Sequence, residues 1–282
     1  MMKIPHIFTT PSAGVLNVTA PTAGGVVPTD ADTILSIAMD LGEEILRCGG
    51  EINRVENTVV RVCRAYGAES AEVFAITSLI VAEIRMPDGT EVTHTRRVPY
   101  SYTHLARLEA CNALSRLVCK NPLPSEEVAA RLAAIHHYKP VPEWARYPAA
   151  ILAVGGFSVF FGGTWRDGLV AAVIGLFMTL ISRISPLRVG GLMKSLISSL
   201  TAGLLAVLAV KVGLGQHVDK IIIGTIMLEI PGLSFGNALR DMLGGDTLAG
   251  TMRFIQAILL TLVIAIGYMA ALAIGGWFGG VA

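Results

Sequence analysis

The sequence lacks the features of several large functional classes. Its formal net charge is only +1 over 282 residues, which argues against nucleic-acid binding, because phosphate contacts need a concentrated basic face. No G-x-S-x-G, P-loop or H-E-x-x-H motif is present in the polar part of the sequence before Arg146. We therefore predict no enzymatic activity, no cofactor and no metal. A membrane-embedded hydrolase is the weakest alternative, because no nucleophile can be paired with a base.

Cysteine is scarce, and a secretory signal is missing. Cys48, Cys63, Cys111 and Cys119 form no C-x-x-C pair, so we predict reduced, buried thiols of the kind found in cytoplasmic domains. The segment 1–30 is rich in Pro, Thr and Gly and lacks the apolar stretch of about 7 to 15 residues that a signal peptide requires. We predict that it is disordered.

Apolar residues are abundant and unevenly distributed. The chain is 53% hydrophobic and 15% charged, with a mean hydropathy of +0.62, which is too apolar for an ordinary soluble domain. About two thirds of the charged residues, 29 of 43, lie before Arg146. The pattern predicts a polar domain at 31–140 and a transmembrane domain at 145–282.

Helical and strand patterns alternate in the polar domain. Apolar residues recur at spacings of three and four from Ile34 to Leu46, and Asn53 is a plausible N-cap for a second helix that ends at Gly67. Two further helices are predicted after about residue 104. Strands are predicted at 72–76, 78–85 and 90–98, with a turn at 87–89. We predict a cytoplasmic α+β domain.

The second half contains five apolar segments long enough to cross a hydrocarbon core of about 30 Å. They are 147–164, 168–182, 194–212, 220–243 and 254–277. Loops rich in Lys and Arg are retained on the cytoplasmic side of the membrane. Most of the Lys and Arg residues near the segment ends would lie on that side if the polar domain is cytoplasmic. The prediction is a multi-pass α-helical protein of the cell (inner) membrane with about five transmembrane helices.

The fourth segment carries the candidate substrate-binding residues. Glu229 is a carboxylate near mid-membrane, and Pro231 and Gly232 follow it, so we predict a break in the helix that faces a wet cavity. The amides that begin the second half, near Ser234, would bind a substrate carboxylate. Further polar residues continue along that half at helical spacing: Asn237, Arg240 and Asp241. Arg240 could bind a second carboxylate as a fork.

Structural alternatives apply to each of these features. The Pro-Gly pair is also compatible with a simple kink. Gly232 and Gly236 together are compatible with close helix packing. Arg240 and Asp241 could pair with each other in a cytoplasmic loop. Hydroxyls on the third segment could line a polar path or bond to carbonyls of their own helix; they are Ser195, Ser198, Ser199 and Thr201.

Two sets of motifs resemble the threonine/serine exporter family, specifically the shorter subunit of its split, two-component form. One is Gly49-Gly50-Glu51-Ile52-Asn53-Arg54-Val55-Glu56. The other comprises Leu228-Glu229-Ile230-Pro231-Gly232 and Asn237-Ala238-Leu239-Arg240-Asp241. The resemblance covers nearly all of the chain from about Asp32. Glu229 stands where the family usually has an apolar residue, so it is either a local specialisation or a pairing group for a second subunit.

The resemblance implies export of small amino acids or of dicarboxylates such as succinate, with a second small membrane subunit completing the pathway. It also implies that the first domain is cytoplasmic. Without a nucleotide motif, ion coupling or passive efflux is expected rather than direct use of ATP, with Glu229 as a possible coupling group. The alternative from another class is a membrane-anchored ligand-sensing or scaffold protein without transport of its own. A homo- or hetero-oligomer is expected.

Overall fold

The computed structural model describes residues 27, 29–99, 101–138, 142–184 and 190–277. Apart from 27, 29 and 30, the predicted disordered segment lies outside these residues. The chain divides into two compact units. Unit 1 contains residues 1–140 and 237–252, and unit 2 contains residues 141–236 and 253–282. Unit 1 therefore includes a short part of the apolar half, residues 237–252.

The described elements are ten α-helices, three strands and one short 3₁₀-helix, Glu143–Ala145. The helices are α1 (Ala31–Arg47), α2 (Ile52–Ala65), α3 (Leu105–Lys120), α4 (Ser125–His137), α5 (Arg146–Phe160), α6 (Trp165–Ile184), α7 (Gly191–Lys211), α8 (Val218–Ile226), α9 (Gly232–Leu243) and α10 (Thr247–Trp277). The strands are β1 (Ser70–Ile76), β2 (Leu79–Arg85) and β3 (Glu91–Arg97).

Unit 1 is an α+β fold built on an antiparallel sheet in the order β1-β2-β3. Alternate residues of β2 are buried against the helices, namely Ile80, Ala82 and Ile84, as expected for a strand with one covered face. The turn between β2 and β3 places Gly89 at φ +86°, and Gly67 ends α2 at φ +98°. Both positions favour glycine because it has no Cβ.

The start of α2 differs from the prediction. The helix begins at Ile52, so Asn53 lies inside its first turn and is not the N-cap. The residue at the N-cap position, Glu51, makes no capping hydrogen bond with its own side chain. A cap for this helix therefore has to come from elsewhere in the chain.

Unit 2 is helical, and α8 lies at its centre. This helix contacts α5, α6 and α7. Ile221 is fully buried, and Gly224 lies so close to α5 that a Cβ there would be 2.6 Å from the carbonyl oxygen of Val154. Small residues of this kind allow helix backbones to approach closely, as is common in membrane helix bundles.

The outer surface of unit 2 is strongly apolar. Leu152 and Phe160 on α5 are 75% and 78% exposed, and Val173 on α6 is 66% exposed. Two of the described helices, α7 and α10, are long and apolar enough to cross a membrane, and α5 is a shorter apolar helix. The fold thus contains two candidate spans, and the count of five stays a prediction.

The fourth predicted segment is divided. Helix α8 ends at Ile226 and α9 begins at Gly232, so the regular helix is interrupted for five residues. The interruption lies where the Pro-Gly pair was expected to cause one. Helix α9 itself begins in unit 2 and continues into unit 1 from Asn237.

Candidate functional site in the helix break

The backbone between α8 and α9 makes turn hydrogen bonds beside two helical ones, from the Met227 amide to the Ile223 carbonyl at 3.4 Å and from the Ile230 amide to the Ile226 carbonyl at 3.0 Å. The Leu228 and Glu229 amides donate to carbonyls three residues earlier, at 3.2 Å and 2.9 Å. The Gly232 amide bonds only to the carbonyl of Ile230, at 2.9 Å. Pro231 has no N–H to donate and cannot continue α8, which explains why the helix stops here.

The first turn of α9 leaves donors available. The Phe235 amide donates to the Pro231 carbonyl at 3.1 Å, whereas the Leu233 and Ser234 amides have no hydrogen-bond partner within the described ranges. Ser234 is exposed in unit 2. A helix start with unpaired amides carries partial positive charge and suits an anionic group.

A carboxylate lies immediately before this helix start. Glu229 is partly buried, and the hydroxyl of Ser198 on α7 hydrogen-bonds to it. Its second oxygen, Oε2, is buried without a partner among the described residues. A buried carboxylate oxygen without a donor is costly, so this group suits a cation or a proton.

Further hydroxyl groups occur on the neighbouring helices of unit 2. The Tyr268 hydroxyl on α10 donates to Oγ1 of Thr225 on α8 at 3.1 Å, and both residues are buried. Of the hydroxyls predicted on α7, Ser199 and Thr201 bond to carbonyls of their own helix, whereas Ser198 reaches Glu229. The polar groups around the break therefore come from three helices.

The other predicted site residues have partners in unit 1. Asn237 Nδ2 donates to the carbonyl of Gly49 at 3.2 Å, and Arg240 forms an ion pair with Glu51 at 2.5 Å. Asp241 is 2% exposed, and its Oδ1 accepts a hydrogen bond from the Ile52 amide at 3.3 Å. The structure thus brings Glu229 and Ser234 into one unit and these three residues into the other.

Asp241 supplies the N-cap that α2 lacks. Its carboxylate accepts from the first amide of the helix and places negative charge at the positive end of the dipole. Asn237 and Arg240 contact the preceding residues, Gly49 and Glu51. The two motifs quoted from separate parts of the sequence therefore form one contact, which we call the α9–α2 clamp.

Close helix packing within the described part of the chain does not explain Gly232 and Gly236. A Cβ at either position would meet nothing within 4 Å in the described part of the chain. Thr225 and Tyr268 are not among the predicted site residues. A buried tyrosine next to a threonine on an apolar helix is the signal that could have indicated them, because a tyrosine hydroxyl needs a partner when buried.

The comparisons with known proteins agree with the resemblance. Residues 36–275 match the family model described as "Putative threonine/serine exporter". The chain is 24% identical over 255 residues to the "Probable threonine/serine exporter" of Mycobacterium tuberculosis, covering 89% of this chain and 48% of that protein. It is 26% identical over 245 residues to the "Threonine/serine exporter" of Corynebacterium glutamicum, covering 81% of this chain and 48% of that protein.

The chain spans about half the length of these two relatives. No solved structure matches it. The family consists of transporters and not of enzymes, and its members are membrane proteins. Because the family model covers most of the sequence, this chain belongs to the threonine/serine exporter family.

Proposed function

We propose that this chain is a subunit of an exporter for small amino acids, and that the break between α8 and α9 binds the substrate. One observation carries the proposal. The Leu233 and Ser234 amides are unpaired, and Glu229, a few residues earlier in the same unit, has a carboxylate oxygen without a partner among the described residues. The amides bind the carboxylate of the substrate, and Glu229 binds its ammonium group. Pro231 and Gly232 hold the break open.

A zwitterion suits this site better than a dicarboxylate such as succinate. The residue that would bind a second carboxylate, Arg240, is paired with Glu51 in unit 1. Glu229 would also repel a second carboxylate. The relatives are named for threonine and serine, which supports the same choice.

The positions of Lys and Arg indicate the orientation of the membrane half. We propose a multi-pass protein of the inner membrane with about five spans and unit 1 in the cytoplasm, because Lys and Arg cluster at the segment ends on that side. Proton or ion coupling through Glu229 is compatible with this arrangement.

A second membrane component completes the exporter in this proposal. The observation that supports it is an apolar groove of about 670 Å³ between α6 and α7 of unit 2, lined by residues such as Leu169, Val173, Phe177 and Leu208. A helix from the second component could pack there through van der Waals contact.

The test is efflux of threonine from loaded cells that carry the gene in its native genomic context. Glu229→Gln keeps the size of the side chain and removes its charge, and Pro231→Ala permits a continuous helix. We expect both variants to lower the efflux rate at least tenfold at equal membrane insertion. The matched control, Glu109→Gln, changes an exposed carboxylate on α3 and leaves efflux unchanged. Wild-type efflux from both site variants would refute the proposal.

A further inference from the structure

Strand β3 is a free edge of the sheet in unit 1. The order β1-β2-β3 gives it one neighbouring strand in the described part of the chain. The Met86 amide donates to the Thr90 carbonyl at 2.9 Å, and the Val98 amide donates to the Ser78 carbonyl at 2.8 Å. Because bonded and non-bonded pairs alternate in an antiparallel ladder, the even-numbered residues of β3 bond to β2. The amides and carbonyls of the odd-numbered residues therefore point away from the sheet.

The outward-pointing residues of β3 form a single row, which we call the β3 edge. They are Glu91, Thr93, Thr95 and Arg97. All four are exposed, and their amides and carbonyls have no hydrogen-bond partner within the described ranges. A row of unpaired backbone groups on a sheet is a template for a strand from another chain.

The other edge of the sheet is covered at one point by the chain itself. The Ala75 amide on β1 points away from β2 and donates to Oε1 of Glu56 on α2, at 2.8 Å. A carboxylate that bonds to an edge amide occupies the place of a further strand. The β3 edge has no comparable group in the part of the chain that the structure describes, so it is the more open of the two edges.

The β3 edge carries opposite charges at its two ends. Glu91 lies at one end, where it is paired with Arg85 of β2. Arg97 lies at the other end and has no acidic partner among the described residues. The two positions between them are threonines. The row is therefore suited to a partner that carries the same residues in the opposite direction.

One register of two antiparallel copies matches these charges. A two-fold axis through position 94 places Glu91 opposite Arg97 of the second copy. It also places Thr93 opposite Thr95. Opposite charges and threonine pairs both stabilise neighbouring strands when they lie directly across from each other. A shift of two residues in either direction removes the charge pairing, and in one direction it brings Glu91 opposite Pro99, which has no N–H to donate.

We propose that the β3 edge binds the β3 edge of a second copy of this chain, in the register that places Glu91 opposite Arg97. The two copies then share one six-stranded antiparallel sheet. The interface is isologous, so each charge pair and each threonine pair occurs twice. The inference does not rest on the proposed transport site, because it uses no residue of unit 2.

The rival interpretation is an edge that stays solvated. Sheets protect a free edge with charges, prolines or a β-bulge. The protective residues here, Arg97 and Pro99, lie at the end of the strand. The centre of the edge carries Thr93 and Thr95, which favour strand pairing. The register between β2 and β3 runs without a bulge from one end to the other, so the centre of the β3 edge is unprotected.

The experiment is oxidative cross-linking of the full-length chain in membranes, with copper phenanthroline as the oxidant. Two forms with different tags carry Thr93→Cys and Thr95→Cys and are co-expressed. Wild type gives the background of the native cysteines. A disulfide needs Cβ atoms about 3.5–4.5 Å apart. Directly opposite residues come within about 4.5–5.5 Å of each other, whereas diagonal neighbours are about 7–8 Å apart.

The proposed register makes positions 93 and 95 opposite each other and makes each position diagonal to its own copy. We therefore expect a disulfide-linked dimer that contains both tags. Either form expressed alone should give at least fivefold less cross-linked product.

Charge variants in the same two forms assign the contact to the β3 edge. Arg97→Glu places like charges opposite each other and should lower the cross-linked fraction at least fivefold. Adding Glu91→Arg to the same chains restores opposite charges and should restore the cross-link. Arg116→Glu, the same reversal at an exposed position of α3, is the control and should leave it unchanged.

Three results would overturn the proposal. The first is no cross-linked product above the wild-type background. The second is cross-linking of either form alone that is as strong as in the mixture, because that would indicate another register or random collision. The third is a response to Arg97→Glu that is absent or that Glu91→Arg does not reverse.

Discussion

Removing the carboxylate of Asp241 tests the α9–α2 clamp. Asp241 is buried and accepts a hydrogen bond from the Ile52 amide at the start of α2. Asp241→Ala leaves that helix start without a side-chain cap, because Glu51 provides none. Asp241→Asn keeps an acceptor oxygen at the same place and removes the negative charge.

The expected loss follows from two contributions. An N-cap is worth about 0.5–2 kcal/mol, and a negative charge at a helix N-terminus about 0.3–1 kcal/mol. Asp241→Ala should therefore lower the free energy of unfolding by about 1–3 kcal/mol. Asp241→Asn should lose only the second contribution, about 0.3–1 kcal/mol.

The assay is thermal unfolding of the purified chain in detergent, with amide hydrogen exchange at Ile52 as a local readout. A loss of 1 kcal/mol lowers the Tm of a protein of 150–250 residues by about 2–4 °C, so Asp241→Ala should lower it by at least about 2 °C. The Ile52 amide should exchange faster in the same variant. Glu109→Ala, at an exposed position of α3, is the control and should change neither quantity. An unchanged Tm and unchanged Ile52 exchange in Asp241→Ala would refute the capping role.

Two further predictions concern unit 2. Burial acts to raise the pKa of Asp167, but hydrogen bonds from Gln216, His217 and Thr164 hold that pKa below the ordinary value of 3.8. A carboxyl group whose pKa is lowered by folding stabilises the fold above pH 3.8, and this contribution is lost as the pH falls below that value. The Tm of Asp167→Asn should therefore depend less on acid pH than the Tm of wild type. An identical pH dependence in the variant would contradict this role. Gly224→Ala should lower the free energy of unfolding by about 1–3 kcal/mol, because its methyl group would collide with α5. Gly156→Ala should not, because a Cβ at that position meets nothing within 4 Å. Equal Tm values for the two variants would contradict the packing account.

Local signals predicted much of unit 1. Gly89 and Gly67 mark a turn and a helix end that depend on neighbouring residues alone, and the structure has them there. The cap of α2 could not be predicted in this way. Asp241 is 189 residues away from Ile52 in the sequence, and no local pattern joins them.

At the candidate site too, features that depend on neighbouring residues could be predicted and long-range contacts could not. Pro231 and Gly232 predicted an interruption because their effect on a helix is local. Tyr268 is 43 residues from Thr225, and its hydroxyl reaches that threonine only when α10 packs against α8. Helical spacing in the sequence placed Ser234 and Arg240 in one candidate site, but it could not show that Arg240 pairs with Glu51, which is 189 residues away.

The most direct test of the helix break is thiol labelling at the start of α9. Ser234→Cys is treated with a charged methanethiosulfonate reagent in membranes, with wild type as the background for the native cysteines. Leu259→Cys, on an apolar exposed position of α10, is the control. A hydrated, substrate-binding break predicts fast labelling of Ser234→Cys that threonine slows, and no labelling of Leu259→Cys. Labelling at Ser234→Cys as slow as at Leu259→Cys, or fast labelling that threonine does not slow, would contradict it.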